Sequence, residues 1–296
     1  MELQQMRYVV AVAETANFTR AAERCHVVQS ALSHQIKRLE HELGTALFAR
    51  TSRRVRLTPA GEAFLPAARQ ALEAAERAAA DAAATVGEVR GRLSVGVIPT
   101  VAAVDVLAAL RDLRRRHPHV RVTLRSGASD ELTAEVIDGK LDVAFLGLPS
   151  GSRPTGVRSH ELGRDRLVAV LAPDHPLARA RKVSLADLTT EAFVDFPYGT
   201  AGRAQTDQAF ARSGVSRDVA FEVTDAALMA QVIGHGLAIG FLPAAYLQRA
   251  PELGGLATVA VSDAPSRVEH VVWASPGPSP ATLAFLDAIG LPPTAA

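Results

Sequence analysis

The residues whose types and spacing could support specific chemistry are concentrated near the N-terminus of the chain. Apolar residues at positions 32, 36, 39 and 43 recur on one face of a predicted helix over 29–43, which leaves the opposite face polar. That polar face carries Gln29, Ser30, Ser33, His34, Lys37 and Arg38. Side chains of these types can hydrogen-bond to base edges and pair with phosphates in a DNA major groove. A helix face that is simply solvated is the alternative interpretation.

A second basic cluster follows this helix. It comprises Arg50, Arg53, Arg54 and Arg56, with no acidic residue among them. Val55 and Leu57 alternate with the arginines there, a pattern that predicts a short two-stranded hairpin, or wing. Guanidinium groups on such a hairpin could contact phosphates and probe a minor groove.

Two shorter helices are predicted ahead of the polar helix. Residues 2–14 carry one apolar stripe, and residues 20–25 can form a second helix with Thr19 as its N-cap. We assign Thr19 and Arg20 to the same candidate nucleic-acid surface. Residues 1–58 carry nine Lys/Arg against five Asp/Glu, a net charge of +4 in a chain whose total is +1. This asymmetry favours contact with a polyanion, and the order of elements predicts a winged helix–turn–helix.

A long helix is predicted to begin at Pro59. Thr58 and Pro59 form a typical start, a hydroxyl N-cap followed by proline at the first helical position. An apolar seam then steps by four and three residues through Phe64, Ala68, Ala71, Ala75, Ala78 and Ala82. Such a seam can pair with a second copy of the chain, although Pro66 inside the helix predicts a kink. We favour a dimerisation helix, and a helix packed on its own domain is the alternative.

Beyond residue 90 the pattern changes to alternating strands and helices. Strand-like runs at 90–100, 120–127 and 141–148 are separated by helical patterns at 104–116 and 130–138. This β-α-β-α-β order predicts a parallel sheet with crossover helices, and a second, similar set follows from residue 165. The sequence therefore predicts an α/β body of two Rossmann-like subdomains with a cleft between them.

The predicted ends of the strands locate a candidate small-molecule site. In open α/β sheets, ligands bind beyond the carboxyl ends of the strands, where helix N-termini expose N–H groups. The residues expected there are Pro99, Thr100, Val101, Ser129, Gly147, Phe196, Tyr198, Thr200 and Arg203. Thr100, Ser129 and Thr200 each combine a hydroxyl with a predicted helix start, which suits a carboxylate or another small anion. Each is equally well explained as a plain N-cap, and Arg203 could pair an anion or stabilise its own helix.

The sequence predicts no enzyme and no metal or cofactor site. It lacks GxSxG, HExxH and GxxxxGK[ST] motifs, and no GxGxxG follows a strand. The histidines of the body show no metal-ligand spacing, and the single cysteine, Cys25, excludes an intramolecular disulfide. Because there is no basic leader and no run of about 18 apolar residues, we expect a cytoplasmic protein.

One segment carries a specific resemblance. The run FTRAAERCHVVQSALSHQIKRLEHELGTALFARTSRRVRLTPAGEAFL resembles the DNA-binding head of the LysR-type transcriptional regulators. The segments LAPDHPLARARKVSLADL, GTAGR and GHGLAIGFLP match the same family more loosely. Val28, Ser30 and His34 stand where this family often has Ser, Pro and Arg. These departures affect the expected base sequence rather than the mode of binding.

The resemblance implies a domain organisation and a function. It implies a winged helix–turn–helix at 1–58, a linker (dimerisation) helix at 59–89, effector subdomain I at 90–161 and 266–296, and effector subdomain II at 162–265. It also implies a homodimer or homotetramer that binds an interrupted inverted repeat of double-stranded DNA. A small-molecule effector, such as a carboxylate, would modulate that contact from the cleft. The alternative is a cytoplasmic small-solute-binding protein with a basic interaction head and no regulated operator.

Overall fold

A computed structural model of the chain describes residues 1–50, 55–85, 87–250, 255–274 and 277–291, and for Arg50 it describes the backbone alone. The chain divides into two compact units, Met1–Val86 and Gly87–Ala296. In the described part of the chain, no helix combines the length and the hydropathy that a membrane span requires.

The first unit contains three helices, a two-stranded hairpin and a long fourth helix. These are α1 (Leu3–Thr15), α2 (Phe18–Arg24), α3 (Gln29–Leu43), β1 (Phe48–Arg50), β2 (Val55–Leu57) and α4 (Pro59–Ala84). Val9, Val12, Leu32, Ile36 and Leu39 are fully buried in one apolar core. The structure confirms the winged helix–turn–helix and the linker helix that the sequence predicts.

Side-chain caps set the helix boundaries in this unit. The Asn17 side chain accepts hydrogen bonds from the Thr19 and Arg20 amides at 2.8 and 3.0 Å, so Asn17 is the N-cap of α2. The prediction of Thr19 as the cap is wrong, because the helix begins two residues earlier than predicted, at Phe18, which is buried and packs against Phe48. Thr58 caps α4 as predicted, since its hydroxyl accepts from the Gly61 amide at 3.0 Å.

The alanine seam of α4 has two environments. Ala68 is buried and Phe64 packs on the core of the first unit, whereas Ala78 and Ala82 are exposed in the single chain. Pro66 lies inside the helix. The first part of the seam is therefore used within the protomer, and its later part remains accessible to another chain.

The second unit begins with a β-α-β-α-β arrangement. It comprises β3 (Gly91–Val97), α5 (Val106–Arg116), β4 (Val120–Ser126), α6 (Ser129–Ile137) and β5 (Val143–Pro149). These three strands are parallel, in the order β4-β3-β5. Leu93 and Val95 pack beneath α5, and Leu132 and Val136 of α6 pack on the opposite face of the sheet.

The remaining elements form the other half of the unit and return to the first. They are β6 (Arg158–Leu171), β7 (Lys182–Val183), β8 (Ala192–Asp195), α7 (Ala201–Arg212), β9 (Asp218–Glu222), α8 (Ala226–Gly234), β10 (Gly240–Pro243), α9 (Ala244–Arg249), β11 (Ala257–Val261), β12 (Ser266–Trp273) and α10 (Pro280–Ala288), with short 3₁₀ helices at Pro176–Arg179 and Ala186–Leu188. The main sheet has the order β4-β3-β5-β12-β6-β11-β7, with β10 also paired to β6. It is mixed, not all parallel as the strand order suggested. β12 brings the chain back in the opposite direction and pairs antiparallel with both β5 and β6.

The strand β6 joins the two halves. Its residues 158–166 pair with β12, and its residues 167–171 pair with β10 and β11. We call the part built on β3, β4, β5 and β12 subdomain I, and the part built on β10, β11 and the end of β6 subdomain II. The chain therefore crosses at 166–167, beyond the residue 162 expected from sequence, and crosses back where β12 begins at Ser266.

A buried histidine on β12 makes the stability of the second unit depend on pH. His270 is 6% exposed, and neither ring nitrogen has a hydrogen-bond partner among the described residues. Burial lowers the pKa of His270 below its ordinary value; Glu161 opposes this effect, while Arg153, Arg164 and His160 add to it. The folded chain therefore keeps His270 neutral at a pH where the unfolded chain already binds a proton.

We expect the free energy of unfolding of the second unit to fall as the pH drops below about 6.5, with a slope of up to about 1.4 kcal/mol per pH unit from this group. The His270→Leu variant should lose this part of the slope. Urea unfolding followed by the fluorescence of the buried Trp273, the only tryptophan of the chain, measures it. His119→Gln, a change at an exposed histidine, is the control. Parallel pH profiles for His270→Leu and the unaltered chain would contradict the assignment.

Candidate functional site

The helix α3 separates an apolar face from a polar one. Leu32, Ile36 and Leu39 are fully buried against α1 and α2. The side chains of Gln29, Ser30, His34, Lys37 and Arg38 are exposed on the other face, and Ser33 is half-buried. Leu43, which the sequence placed with the apolar face, is 38% exposed at the end of the helix. The structure therefore brings the predicted base-contacting and phosphate-contacting residues onto one solvent-facing surface.

Two other groups of predicted residues flank that surface. Thr19 and Arg20 are exposed at the start of α2, where the Arg20 guanidinium donates to the Thr15 carbonyl oxygen at 2.7 Å. Arg56 is exposed on the second strand of the wing. Arg53 and Arg54 lie outside the described residues, as does the side chain of Arg50.

The start of α3 has a feature that the sequence analysis missed. Its N-cap residue is Val28, which offers no side-chain acceptor, and the first turn contains no acidic residue. The helix therefore presents uncapped amides and the positive end of its dipole at the same end as Gln29 and Ser30. A phosphate would satisfy these groups. The sequence signal for this uncapped start was Val28, an apolar residue directly before the helix.

In the second unit a cavity of about 560 Å³ lies between subdomains I and II. Subdomain I contributes Ile98, Pro99, Thr100, Ser126, Ser129, Gly147 and Arg267, among others, and subdomain II contributes Leu167, Asp195, Phe196, Thr200, Gln205, Thr224 and Phe241, among others. The wall is thus partly apolar and partly polar, and its volume is that of a typical small-molecule site.

Six of the nine residues predicted from strand ends line this cavity. They are Pro99, Thr100, Ser129, Gly147, Phe196 and Thr200. Val101 instead packs against the apolar clusters of subdomain I. Tyr198 is 80% exposed, and the Arg203 guanidinium lies 5.9 Å from its ring. Arg203 is bound to Asp207 at 2.9 Å and to Glu222 at 3.0 Å, so it stabilises its own region of subdomain II.

The three cavity hydroxyls do not share one role. Thr200 is the N-cap of α7 and accepts from the Arg203 amide. Ser129 is the first residue of α6 rather than its cap, and its hydroxyl is bound to the amide and the carbonyl of Gly147. Thr100 starts no helix, because α5 begins at Val106 with Asp105 as its cap. The prediction of a helix start is therefore right for Ser129 and Thr200 and wrong for Thr100, and only Thr200 is an N-cap.

The Thr100 hydroxyl belongs to a buried ion-pair network. It accepts from Arg267 Nη1 at 2.7 Å, while Arg267 Nη2 donates to the Thr100 carbonyl oxygen and to Glu269. The other oxygen of Glu269 accepts from the Ala102 and Ala103 amides, each at 3.0 Å. Arg267 is 1% exposed, and burial lowers its pKa while Glu269 opposes that effect.

Sequence reasoning missed this network, although its signal was present. Arg267 and Glu269 stand two apart in β12, so they share one face of the strand. Arg267 lines the cavity, and its Nε has no hydrogen-bond partner among the described residues. The wall of the cavity therefore includes a buried guanidinium, which favours a ligand that carries an oxygen acceptor.

A second buried ion pair supports the opposite wall. Asp195 Oδ2 lies 2.7 Å from Arg217 Nη1 and accepts from the Thr206 hydroxyl at 2.7 Å. The Arg217 guanidinium also lies 5.0 Å and 5.3 Å from the centres of two phenylalanine rings, those of Phe210 and Phe193. Burial raises the pKa of Asp195, and Arg217 opposes that shift.

The arrangement of these groups is that of a binding site. Among the described residues, no group of three or more His, Cys, Asp or Glu side chains could hold a metal ion. Most polar groups of the cavity are paired with one another or with the backbone, so their positions are fixed before a ligand binds.

Comparison with known proteins agrees with both parts of the structure. Residues 3–62 match the family model described as bacterial regulatory helix-turn-helix protein, lysR family, and residues 87–290 match the LysR substrate binding domain. The Hca operon transcriptional activator HcaR of Escherichia coli K12 is 35% identical over 245 residues, 82% of each chain. The dual regulator OxyR of the same organism is 32% identical over 82% of this chain and 79% of its own length.

A solved structure extends the agreement to the whole chain. Full-length CbnR complexed with its target DNA is 27% identical, with a TM-score of 0.73 and full coverage of both chains. Family models thus match the head and the body separately, and relatives above 30% identity span most of the chain. The chain belongs to the LysR family of transcriptional regulators, which are DNA-binding proteins rather than enzymes.

Proposed function

We propose that this protein is a cytoplasmic transcriptional regulator that binds an operator through its head and responds to a small molecule held in the cavity of its second unit. The observation that carries the DNA-binding part is the exposed polar face of α3 opposite three fully buried residues. The helices α2 and α3 form the helix–turn–helix. The second helix of such a motif, here α3, enters the major groove with its N-terminal residues first. Gln29, Ser30, Ser33 and His34 then face base edges, and Lys37 and Arg38 face phosphates.

We infer that the protein binds DNA as a homodimer or a homotetramer on an interrupted inverted repeat. Two heads are needed for two half-sites, and the exposed Ala78 and Ala82 offer a close-packing surface on α4 for a second copy. The solved relative CbnR, which is bound to its target DNA, supports the same mode of action for this chain.

The proposed effector is a small molecule with an oxygen acceptor, such as a carboxylate. The buried Arg267 guanidinium and the Thr100 hydroxyl, both in the cavity lining, support an acceptor on the ligand, and Ile98, Leu167 and Phe241 support an apolar body. Thiol oxidation in the second unit is excluded as a sensing mechanism, because Cys25, in the head, is the only cysteine of the chain. Effector binding changes the preferred arrangement of the subdomains, and a coupling of about 1–3 kcal/mol is enough to alter DNA binding.

Lys37→Ala should weaken binding to operator and scrambled duplex alike, because a phosphate contact carries no base information. The slope of log K against log salt should become shallower by about one per protomer. Fluorescence anisotropy of labelled DNA from upstream of the gene, across a salt series, measures both effects. Lys140→Ala, at an exposed lysine of the second unit paired with Asp138, is the control. A loss confined to the operator, with an unchanged slope, would contradict the phosphate assignment.

His34→Ala should change which base sequence is preferred while leaving the salt slope nearly intact. A lost base contact costs about 1–3 kcal/mol of discrimination at the affected position. Selection from a randomised operator library, compared with the unaltered chain, detects the change. His41→Ala on the last turn of the same exposed helix surface is the matched control. Uniform weakening on all sequences would argue against base recognition by His34.

Ser126→Phe should abolish ligand binding, because it places a ring in the lining of the cavity at an exposed position that needs no repacking. The probe is a panel of small aliphatic and aromatic carboxylates, scored by the rise in melting temperature of the full chain. A carboxylate at 100 times its Kd stabilises the unaltered chain by about 2.7 kcal/mol. Thr123→Phe, on the same strand outside the lining, is the control. Equal shifts in both variants would place the binding elsewhere.

A further inference from the structure

Two helices from different subdomains begin at the cavity and are joined by one carboxylate. Asp130 is the second residue of α6 in subdomain I, and its Oδ2 accepts a hydrogen bond at 2.9 Å from the amide of Ala201, the first residue of α7 in subdomain II. The N-terminus of each helix carries partial positive charge. The Asp130 carboxylate therefore lies where the positive ends of α6 and α7 meet, and it caps a helix of the other subdomain.

A second bond crosses the cleft one turn further along α7. Gln205 is 6% exposed, and its side-chain amide donates to the Gly147 carbonyl oxygen at 3.0 Å. The same carbonyl accepts from the Ser129 hydroxyl at 3.2 Å, so Gly147 receives one donor from each subdomain. A Cβ at Gly147 would lie 2.9 Å from Ile98 Cδ1 and 3.6 Å from Gln205 Nε2, which shows how closely α7 approaches β5.

The surroundings of the two bonds differ, because Gln205 is buried and Asp130 is exposed. Ala201 is 7% exposed and joins Leu132 and Leu146 in an apolar cluster that otherwise belongs to subdomain I. The buried Gln205 bond is stronger than the same bond in water, and the loss of one of its partners leaves a poorly solvated group. Asp130, Gln205 and Ala201 thus connect the subdomains by two polar bonds and one apolar contact.

We propose that Asp130 and Gln205 form a latch that holds the cleft closed when no effector is bound. The inference rests on the proposed function, because it treats the cavity as the effector site. In this latch the Asp130 side chain is an internal carboxylate at the start of α7. An effector therefore binds to a cleft that the latch already holds closed. When the Asp130 side chain is removed by mutation, a small free carboxylate can bind in its place.

The test measures the distance across the cleft in the full chain, without DNA or effector. Spin labels at Ala134→Cys on α6 and Gln231→Cys on α8, both exposed positions, report the separation of the subdomains in a Cys25→Ser background. Excess unlabelled protein isolates the distance within one chain. We expect one short population for the intact latch and a shift to longer distances for Asp130→Ala. Asp138→Ala, at the other end of α6, should leave the distance unchanged.

Added acetate distinguishes the loss of the Asp130 bond from the loss of the Gln205 bond, because only the first removes a carboxylate. At 100 mM it should restore the short distance in Asp130→Ala by occupying the vacated carboxylate position, and it should have no effect on Gln205→Ala, which also opens the cleft. If Asp130→Ala does not fold, Asp130→Asn, which keeps the shape and one acceptor oxygen, should give an intermediate opening.

Two outcomes would overturn the latch: an unchanged distance in folded Asp130→Ala or Asp130→Asn, or an opening in Asp130→Ala that acetate does not reverse. Each is independent of the DNA measurements above. A chain that fails to bind any operator would contradict the proposed function while the distance measurement still decides the latch.

Discussion

The buried ion pair between Arg267 and Glu269 determines the shape of the effector cavity. Both residues lie on β12, where the chain returns from subdomain II, and together they hold the segment that follows β3: Arg267 binds Thr100, and Glu269 binds the Ala102 and Ala103 amides. An ion pair taken out of water is not a large net source of stability, but removing one partner leaves an uncompensated charge and costs about 3–5 kcal/mol. The pair therefore fixes the position of residues 100–103 relative to β12.

In the first unit, the groups that stabilise the fold are likewise separate from the groups that are available to DNA. The helix α3 contributes Leu32, Ile36 and Leu39 to the core, so its attachment to α1 and α2 does not depend on its polar face. Its start is left without a side-chain cap at Val28. The uncapped amides and the exposed polar side chains cost little free energy in water, and in the proposed complex the DNA backbone would supply acceptors for these amides. Stability and recognition are thus assigned to opposite faces of one helix.

The sequence was sufficient to predict what depends on local periodicity. The helix α3, the start of α4 at Thr58 and Pro59, and the β-α-β order of subdomain I follow from spacing and capping signals within a few residues of each other. The arrangement of β12 could not be predicted in that way, because an antiparallel strand inserted beside β5 depends on partners more than 100 residues away. The Asn17 cap was missed for a simpler reason: Thr19, two residues later, offers an equally good hydroxyl, and only the burial of Phe18 decides between them.

The cavity also shows that local sequence signals do not predict long-range packing. Strand ends located Pro99, Gly147, Phe196 and Thr200 because the carboxyl ends of strands converge on one edge, but the side chains that shape the site come from distant elements. Arg267, Gln205 and Asp195 reach the cavity from β12, α7 and the end of β8. Val101, Tyr198 and Arg203 are close in sequence to residues that line the cavity, but their own side chains do not line it. Position along the chain identifies the edge of a sheet, whereas tertiary packing selects the side chains that point into the cleft.

The consequence for ligand selection is that most polar groups of the cleft already have partners. The Ser129 hydroxyl is bound to Gly147, the Thr200 hydroxyl to the backbone of α7, and Asp195 to Arg217 and Thr206. A ligand therefore gains little by adding hydrogen bonds to these groups and gains more where it replaces an internal bond with a better one. Because breaking an internal bond costs free energy unless the ligand restores it, molecules of the right size that lack a matching acceptor are rejected. The selectivity of such a cleft depends on which internal bonds a ligand can replace as well as on the volume it can fill.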